Sequence, residues 1–221
     1  MLIYSLIPAR KGSKRIRNKN LLKIKNKYLI NITVSSSIST KLINKTFVST
    51  NDRKISDIVD KSVHVIDRPE KISQDKSTTE DAIIHFIKYL KKRKIENPDI
   101  IVLLQCTSPC REKNDIQLAI NKLLKFKFDS LFSACKNKNL FWLKKNNKLK
   151  PINYRPKKRL REQKMQEQYI ENGSIYVFNT KGFVKNKCRL FGKIGIHIMK
   201  KKNSYQIDDH EDIEIITKLN D

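Results

Sequence analysis

The sequence contains few of the residues that mark fibrous, linker-rich or membrane-spanning chains. Only 5 Gly and 6 Pro occur in 221 residues, which excludes collagen-like and linker-rich chains. No apolar run approaches the roughly 20 residues that a membrane-spanning helix needs, so we expect no contact with a membrane. Hydrophobic residues nonetheless make up 38% of the chain, enough to bury a core at this length. We expect one domain over residues 1–221.

Cysteine is also scarce, and its spacing does not indicate a metal site. The four cysteines include no Cys-x-x-Cys pair, and the four histidines lie far from them in sequence, so a structural zinc site has little support. At the start of the chain, no basic stretch precedes the apolar run Leu-Ile-Tyr-Ser-Leu-Ile. A secretory signal has the opposite order, and we therefore expect a cytoplasmic protein whose first strand is structural.

Acidic residues are outnumbered, with 22 Asp and Glu against 48 Lys and Arg, for a formal net charge of +26. Such a charge attracts polyanions, and one hypothesis is a basic nucleic-acid-binding protein. However, lysine is spread along the whole chain, and the densest clusters, 88–94 and 155–161, contain Tyr89 alone among aromatics. Nucleic-acid-binding segments usually interleave aromatic residues for stacking. The pattern favours solvated basic faces without a dedicated nucleic-acid partner, and tight, salt-sensitive binding to generic duplex would contradict this interpretation.

Short β-rich runs alternate with longer helical patterns. The runs Leu2–Pro8 and Ile100–Leu104 are apolar without alternation, as in strands that are covered on both faces. The other predicted strands are Thr46–Thr50, Val63–Ile66, Ser130–Ala134, Ser174–Phe178 and Gly195–Met199. The predicted helices are Ile30–Thr40, Arg53–Lys61, Thr78–Lys92, Lys113–Lys125 and Glu211–Leu219. In the third helix, Ser77-Thr-Thr-Glu80 has the pattern of a capping box. The alternation predicts an α/β sandwich with a mainly parallel sheet, in which ligands gather beyond the carboxyl ends of the strands.

Residues 137–168 break this alternation. The segment is basic, polar and loop-like, and it contains no predicted helix or strand. We interpret it as an excursion from the sheet that serves either as a dimerisation arm or as a flap.

The loop after the first predicted strand concentrates positive charge. It reads Ile-Pro-Ala-Arg-Lys-Gly-Ser-Lys-Arg-Ile-Arg-Asn-Lys-Asn and ends at Asn20. Gly12 and Ser13 let backbone amides face outward. Four cations share the loop: Arg10, Lys14, Arg15 and Lys19. Amide donors and fixed positive charge at a strand end suit a triphosphate, although neither a P-loop nor a Gly-x-Gly-x-x-Gly fingerprint is present. On composition alone, a solvated basic loop remains the alternative.

This loop resembles the N-terminal signature of the CMP-sialic acid (acylneuraminate or nonulosonate) cytidylyltransferases, Ile-Pro-Ala-Arg-x-Gly-Ser-Lys-Arg-Ile-Pro-x-Lys-Asn. Further segments resemble motifs of that family in the same order along the chain. They are Val48–Asp52, Arg68-Pro-Glu, Leu103–Arg111, Glu171–Tyr176 and Ile207–Asp212. The resemblance covers essentially the whole chain. It implies a Rossmann-like three-layer sandwich of the nucleotide-diphospho-sugar transferase type, and a homodimer in which an arm such as residues 137–168 reaches the partner's sugar site.

The resemblance implies an enzyme that transfers CMP from CTP to the anomeric hydroxyl of a nine-carbon acidic sugar, with Mg²⁺ as cofactor and pyrophosphate as leaving group. The sugar would be a sialic, legionaminic or pseudaminic acid. The implied catalytic residues are Arg10, Lys19 and Asp208. The implied nucleotide-binding residues are Ala9, Arg10, Gly12, Ser13, Lys14, Lys19, Asn20, Arg68, Thr79 and Gln105. The implied sugar-binding residues are Gln105, Arg111, Arg161, Asn172 and Tyr176.

The chain departs from the family pattern at several positions. Arg17, Asn51 and Cys106 stand where proline, aspartate and proline are usual. Gln206 aligns with the first carboxylate of the terminal acidic pair, which leaves Asp208 as the matched metal ligand and Asp209 as a possible substitute. The loss of one carboxylate should weaken or rearrange magnesium binding.

Another pyrophosphorylase, such as a Kdo or a methylerythritol-phosphate cytidylyltransferase, is the alternative within the same class. The run Gly12–Arg15 followed by Lys19-Asn20 favours a nonulosonate substrate, because Kdo enzymes resemble Ser-Thr-Arg-Leu-Pro with Lys-Pro at that place.

Overall fold

The structure is a computed structural model that describes residues 1–219. Its strands are β1 (Ile3–Pro8), β2 (Lys23–Ile24), β3 (Lys27–Tyr28), β4 (Lys45–Thr50), β5 (His64–Asp67), β6 (Ile100–Leu104), β7 (Ser130–Asn137), β8 (Trp142–Lys145), β9 (Lys148–Pro151), β10 (Gln168–Asn179) and β11 (Ile194–Ile198). Its α-helices are α1 (Leu29–Ile38), α2 (Arg53–Ile58), α3 (Thr79–Lys92), α4 (Asp115–Phe126), α5 (Thr180–Asn186) and α6 (His210–Leu219). Within the described residues, no helix is long and apolar enough to cross a membrane.

Seven strands form the central sheet, in the order β11-β7-β10-β6-β1-β4-β5. The pairs β1–β4, β1–β6, β4–β5 and β7–β11 are parallel, whereas β10 runs antiparallel to both of its neighbours, β6 and β7. The mainly parallel sheet that the sequence predicts is therefore confirmed.

Side chains alternate between two apolar layers, one on each face of the sheet. On β1, Ile3 and Ile7 join the cluster beneath α1, α2 and α4, while Tyr4 and Leu6 join the cluster beneath α3 and α5. A strand buried on both faces needs apolar residues at every position, which is why β1 and β6 read as continuous hydrophobic runs. Helices on both faces give the three-layer sandwich that was expected.

The predicted elements occur with shifted ends, and one helix was missed. Strand β10 begins six residues before the predicted start at Ser174, and α5 was not anticipated. The capping box of α3 also lies one residue later than predicted: Thr78 accepts from Asp81 N at 3.1 Å, and Asp81 accepts from Thr78 N at 2.8 Å. The hydroxyl of Ser77 is used elsewhere, because it accepts from Gln74 N.

The predicted excursion leaves the sheet between β7 and β10, but its end residues Asn137 and Gln168 still pair within the sheet, so it comprises residues 138–167. They are more ordered than the predicted loop, because β8 and β9 pair as an antiparallel hairpin. Asn146 and Asn147 form the turn with φ of 48° and 58°, the left-handed conformation that a two-residue hairpin turn requires. Several large apolar side chains of the segment are exposed: Phe141, Trp142, Leu143, Leu149, Ile152 and Leu160.

Candidate nucleotide and sugar site

The motif-bearing loops meet at one edge of the sheet. Parallel strands β1, β4, β5 and β6 all end there, so the segments that follow them are neighbours in space. The antiparallel strand β10 contributes its beginning to the same edge, since Ile175 pairs with Leu104, the last residue of β6. The sequence-predicted location of the site at this edge agrees with the fold.

The loop that follows β1 is anchored at its base and exposed at its tip. The buried Ala9 donates its backbone N–H to Ser49 O at 2.9 Å, which continues the pairing of β1 with β4. Asn20 Nδ2 donates to Arg10 O at 3.1 Å, so the end of the loop folds back on its beginning. Gly12, at the tip, is exposed and has φ +76°, with no atom within 4 Å of the place where a Cβ would lie. The loop therefore presents its tip, with Ser13 beside Gly12, to solvent.

Two cations of this loop converge on one carboxylate. Arg10 Nη2 lies 3.1 Å from Asp75 Oδ1, and Lys14 Nζ lies 3.0 Å from Asp75 Oδ2. Arg10 Nη1 also donates to Ser73 O at 3.2 Å. The hydrogen bond from Lys14 and then that from Arg10 hold the pKa of Asp75 below its usual value. These residues line a cavity of about 410 Å³, with the carboxylate of Asp75 paired to both cations. Sequence reasoning missed Asp75.

Lys19 joins the first motif of the chain to the last. Its ammonium donates to Ile207 O at 2.7 Å and to Asp208 Oδ1 at 3.1 Å. The lysine side chain is only 10% exposed, whereas that of Asp208 is 51% exposed. Ile207 N in turn donates to Thr107 O at 2.8 Å, which ties this segment to the loop after β6. Two of the three predicted catalytic residues are thus in direct contact, although 189 positions separate them in sequence.

The predicted metal ligands differ in their surroundings. Asp209 caps helix α6: its Oδ1 accepts from Asp212 N at 3.1 Å, and Asp212 Oδ2 accepts from Asp209 N at 3.0 Å. Gln206, in the position of the missing carboxylate, donates its side-chain N–H to Asn172 O. Among the described residues there is no group of three or more His, Cys, Asp and Glu that could hold a metal ion. Asp208 alone presents a carboxylate not used for capping, which fits an ion that takes its other ligands from water and substrate phosphates.

Arg68 lies behind the β1 loop. Its side chain is buried, and it donates to Ser49 Oγ at 3.1 Å and to Ser49 O at 2.5 Å. Burial, reinforced by the nearby charge of Arg10, lowers the pKa of Arg68 to about 10. Thr79 is the half-buried first residue of α3, directly after the Thr78 cap. Arg68 therefore fixes the ends of β4 and β5 next to Arg10, and a direct contact of either residue with nucleotide stays a prediction.

Arg111 connects β6 with β10. Its Nη2 donates to the carbonyl oxygens of Gln105 and Ser174, the latter at 3.2 Å, and its Nη1 lies 3.4 Å from Thr33 Oγ1. Burial lowers the pKa of Arg111 to about 10. With these bonds, the guanidinium braces the backbone at the centre of the site. Its predicted role as partner of the sugar carboxylate stays a prediction that these contacts do not favour.

Gly173 brings two glutamine side chains together at the site edge. It has φ +62°, and a Cβ at this position would lie 2.8 Å from Gln206 Nε2 and 3.1 Å from Gln105 Oε1. The absence of a side chain at Gly173 therefore allows both amides to pack against the backbone of β10. Gln105, which was predicted from the motif after β6, thus lies at the end of β6 beside Gly173 of β10.

Asn172 is buried and fully engaged within the protein. Its Oδ1 accepts from Ser133 Oγ at 2.6 Å and from Ser174 N at 3.2 Å, and its Nδ2 donates to Ser204 Oγ at 3.0 Å. These bonds join β7, β10 and the segment before α6. Asn172 therefore positions the surrounding elements, and its predicted contact with the sugar stays untested.

Tyr176 belongs to a polar cluster that the sequence did not reveal. Its hydroxyl donates to Glu171, while the Arg189 guanidinium lies 4.6 Å from its ring centroid. Arg189 Nη1 pairs with Glu80 Oε1 at 2.6 Å. Burial and the bond to Glu171 raise the pKa of Tyr176 to about 12. No motif marks Arg189, and the capping-box pattern that contains Glu80 does not link it to Arg189, 109 positions away. Only the folded chain shows this cluster.

Arg161 stands apart from these residues. It is exposed within residues 137–168, where its backbone carbonyl accepts from Lys164 N at 2.8 Å. The structure does not bring its side chain to the other predicted sugar-binding residues within this chain.

Comparison with known proteins identifies relatives over nearly the whole chain. A family model described as cytidylyltransferase matches residues 4–221. The N-acylneuraminate cytidylyltransferase A of Danio rerio is 30% identical over 211 residues, which are 93% of this chain and 48% of that protein. The N-acylneuraminate cytidylyltransferase of Streptococcus agalactiae serotype V is 28% identical over 221 residues, covering 97% of this chain and 52% of the relative. The chain thus spans about half the length of the curated relatives it matches.

Solved structures share the fold at low sequence identity. The structure of CMP:2-keto-3-deoxy-manno-octonic acid synthetase complexed with CTP has a TM-score of 0.70 and 15% identity, covering 100% of this chain and 98% of its own. The Francisella tularensis 2-C-methyl-D-erythritol 4-phosphate cytidylyltransferase has a TM-score of 0.71 and 13% identity, covering 99% and 100%. These matches confirm the Rossmann-like nucleotidyltransferase fold. Enzymes of this kind generally use a divalent metal ion.

Proposed function

The chain belongs to the cytidylyltransferase family, and we propose that it transfers CMP from CTP to the anomeric hydroxyl of a nine-carbon acidic sugar, releasing pyrophosphate. The observation that carries the proposal is the meeting of Lys19 and Asp208, 3.1 Å apart, at the edge where the Arg10 loop emerges. Relatives named N-acylneuraminate cytidylyltransferase support the sugar class. Because CTP is an intracellular nucleotide, we place the reaction in the cytoplasm.

The β1 loop would hold the triphosphate. Arg10 and Lys14 both form ion pairs with the carboxylate of Asp75. A phosphate group would accept the same charge-assisted hydrogen bonds and carries more negative charge. Lys19 would add a third cation from the end of the loop. In nucleotidyl transfer the protein has little covalent chemistry to perform, so fixed cations that neutralise the developing charge supply most of the catalysis. This arrangement suits an in-line attack on the α-phosphorus.

Asp208 is the residue that we propose for Mg²⁺. A bound Mg²⁺ would polarise the phosphate oxygens and neutralise their charge. Asp208 would offer its carboxylate to the ion while Lys19 keeps that carboxylate oriented through its hydrogen bond at 3.1 Å. Asp209 already caps α6, so we assign it only a secondary role in holding the ion.

The sugar would lie over β6 and β10, next to the nucleotide. Neighbouring strands are spaced by about 4.8 Å, so β10 lies roughly 10 Å from β1 across β6, a distance that a sugar can bridge. Gln105, which follows β6, and Tyr176, on β10, lie on this side of the edge, and Asn172 accepts from Ser174 N in the strand that carries Tyr176. Holding both reactants in fixed positions supplies the proximity that the transfer requires.

We further propose that residues 137–168 form a dimerisation arm. The hairpin β8–β9 exposes Trp142, Leu143 and Leu149 at 49%, 51% and 65%, and such a group of apolar side chains favours burial against another chain. Arg161, on the same segment, would then serve the sugar site of the partner. A homodimer in light scattering that becomes monomeric in Leu143→Ser/Leu149→Ser would support the arm, and a dimer that resists both changes would contradict it.

Turnover with a panel of acids tests the function. Purified protein is incubated with CTP, Mg²⁺ and sialic, legionaminic, pseudaminic or Kdo acid, and released pyrophosphate is measured. We expect release with a nine-carbon acid, and at least a hundredfold loss in Arg10→Ala, since a fixed charge at the phosphates is typically worth about 10²–10³ in rate. Arg93→Ala is the matched control, because Arg93 stacks on Tyr89 at the opposite end of α3. Turnover with the Kdo acid alone would favour the alternative cytidylyltransferase, and folded protein inactive on every acid would refute the proposal.

A further inference from the structure

A second guanidinium stands at the sugar side of the site, and sequence motifs did not reveal it. Arg189 comes from the segment between α5 and β11, and its side chain crosses the ring of Tyr176 to reach Glu80 in the first turn of α3. Helix α3 follows β5, so its first turn lies at the edge of the sheet where the ligand loops meet. Arg189 thus connects the flank of the sheet to the substrate edge.

The hydrogen-bonding capacity of Arg189 is not exhausted. Nη1 donates to Glu80 at 2.6 Å, but the buried Nε has no hydrogen-bond partner among the described residues. Buried polar groups are rarely left unpaired in native proteins, and such a group requires an explanation. Nε itself is buried, but the side chain as a whole is 24% exposed, which leaves part of it open to a ligand at the edge. A planar fork of N–H donors is the group best matched to a carboxylate.

The other two arginines considered for the sugar carboxylate are placed differently. Arg111 also has a buried Nε without a partner among the described residues, but both of its terminal nitrogens are engaged within the protein, with Thr33 Oγ1 and with the carbonyl oxygens of Gln105 and Ser174. Arg161 lies on the exposed arm. Arg189 instead stacks on Tyr176, a residue of the strand that we assign to the sugar side. Strand β10 lies two strand spacings from β1, about 10 Å, which leaves room for a sugar between the nucleotide loop and Arg189.

We propose that Arg189 is the specificity-determining residue that recognises the carboxylate of the acidic sugar. The inference rests on the proposed function and deepens it. Glu80 holds the guanidinium in place through one terminal nitrogen, Tyr176 supports its flat face, and Glu171 fixes the Tyr176 hydroxyl. The arginine is therefore oriented before the sugar arrives, which reduces the ordering that binding requires.

Kinetics with an acid and its neutral analogue test this assignment. Steady-state rates are measured with CTP and the best acid of the panel, and again with the carboxamide of the same sugar, for the wild type, Arg189→Gln and Arg189→Lys. In Arg189→Gln we expect KM for the acid to rise at least about tenfold, the usual loss for a charge-assisted hydrogen bond, with KM for CTP unchanged. The preference for acid over carboxamide should shrink equally, and Arg189→Lys should restore part of it. Arg93→Gln is the matched control, since Arg93 also stacks on a tyrosine, at 5.7 Å, and should leave both parameters unchanged.

If Arg189 only supports the fold and does not contact the sugar, the kinetics should differ from these expectations. Thermal melting of each variant shows whether it folds. If Arg189→Gln does not fold, the KM values are compared in Arg189→Lys and in Glu80→Gln. The second of these removes the ion pair of the guanidinium. Because Glu80 orients the guanidinium, Glu80→Gln should raise KM for the acid and leave KM for CTP unchanged. An unchanged preference for acid over carboxamide in folded Arg189 variants would overturn the inference while leaving the proposed function intact. Wild-type protein inactive on every acid would overturn both.

Discussion

Substituting Gly173 by alanine should test how the centre of the site is built. Gly173 has φ +62°, and its missing side chain leaves room for the Gln206 and Gln105 amides. A Cβ would lie 2.8 Å from Gln206 Nε2, closer than non-bonded atoms tolerate, so Gln206 must move. The displaced amide would lose its bond to Asn172 O. The substitution therefore combines backbone strain with the loss of one hydrogen bond.

The magnitude follows from these two contributions. An L-residue in the left-handed region costs about 1–2 kcal/mol, and an intramolecular hydrogen bond contributes about 1 kcal/mol. The free energy of unfolding should therefore fall by roughly 2–3 kcal/mol in Gly173→Ala. Gly12→Ala is a matched control, because Gly12 has φ +76° but nothing within 4 Å of the Cβ position. It should lose only the backbone contribution of about 1–2 kcal/mol.

Thermal melting and urea titration of both variants measure this difference. For a chain of this size, 1 kcal/mol corresponds to about 2–4 °C in Tm, so Gly173→Ala should melt about 2–4 °C below Gly12→Ala. Gly173→Ala should also lower kcat/KM, since Gln105 lies 3.1 Å from the same Cβ position. Equal melting temperatures for the two variants would show that the packing of the glutamine amides against Gly173 does not contribute to the free energy of unfolding, which would contradict the prediction.

Three further outcomes are expected. Gln206→Asp should tighten the binding of a divalent ion in the absence of nucleotide, because it adds a second carboxylate near Asp208. Titration with Mn²⁺, followed by electron paramagnetic resonance, measures this affinity. An unchanged affinity would contradict the proposed position of the metal site. Thr78→Ala should lower the free energy of unfolding by about 1 kcal/mol through loss of the α3 cap, as measured in urea, whereas Ser77→Ala should have a smaller effect. Folding raises the pKa of Tyr176 from 10 to about 12. The protonated hydroxyl therefore contributes fully to stability below pH 10, and this contribution is lost as pH rises from 10 to 12. The melting temperature of Tyr176→Phe should accordingly depend less on pH in that range than that of the wild type.

Local sequence patterns predicted the strands that are buried on both faces and the loops that follow them. Strands β1 and β6 read as apolar runs because every position faces a packed layer, and this signal does not depend on distant residues. The start of strand β10 was harder to predict: the first four residues, 168–171, are half-buried or exposed, so they form no continuous apolar run. Its antiparallel direction depends on pairing with β6 and β7, which a local pattern does not contain.

The family resemblance, together with the position of the motifs after strands, predicted that Arg10, Lys19, Gln105 and Asp208 share one site. What the side chains contact was not accessible in the same way. Arg111 has the residue type of a carboxylate binder, yet in the folded chain its buried guanidinium donates to the backbone carbonyls of Gln105 and Ser174. Asp209 has the residue type of a metal ligand, yet the exposed amides at the start of α6 take its carboxylate as a cap.

The amino-acid sequence by itself determined the layered fold, the edge that carries the site and the cationic loop, because hydrophobic periodicity and strand order are properties of neighbouring residues. Only the tertiary structure decided which charges face each other. Asp75 meets Arg10 across 65 positions, and Arg189 meets Glu80 across 109. Such pairs form where packed strands and helices bring distant segments within hydrogen-bond distance, and that proximity arises only when the whole sheet has assembled.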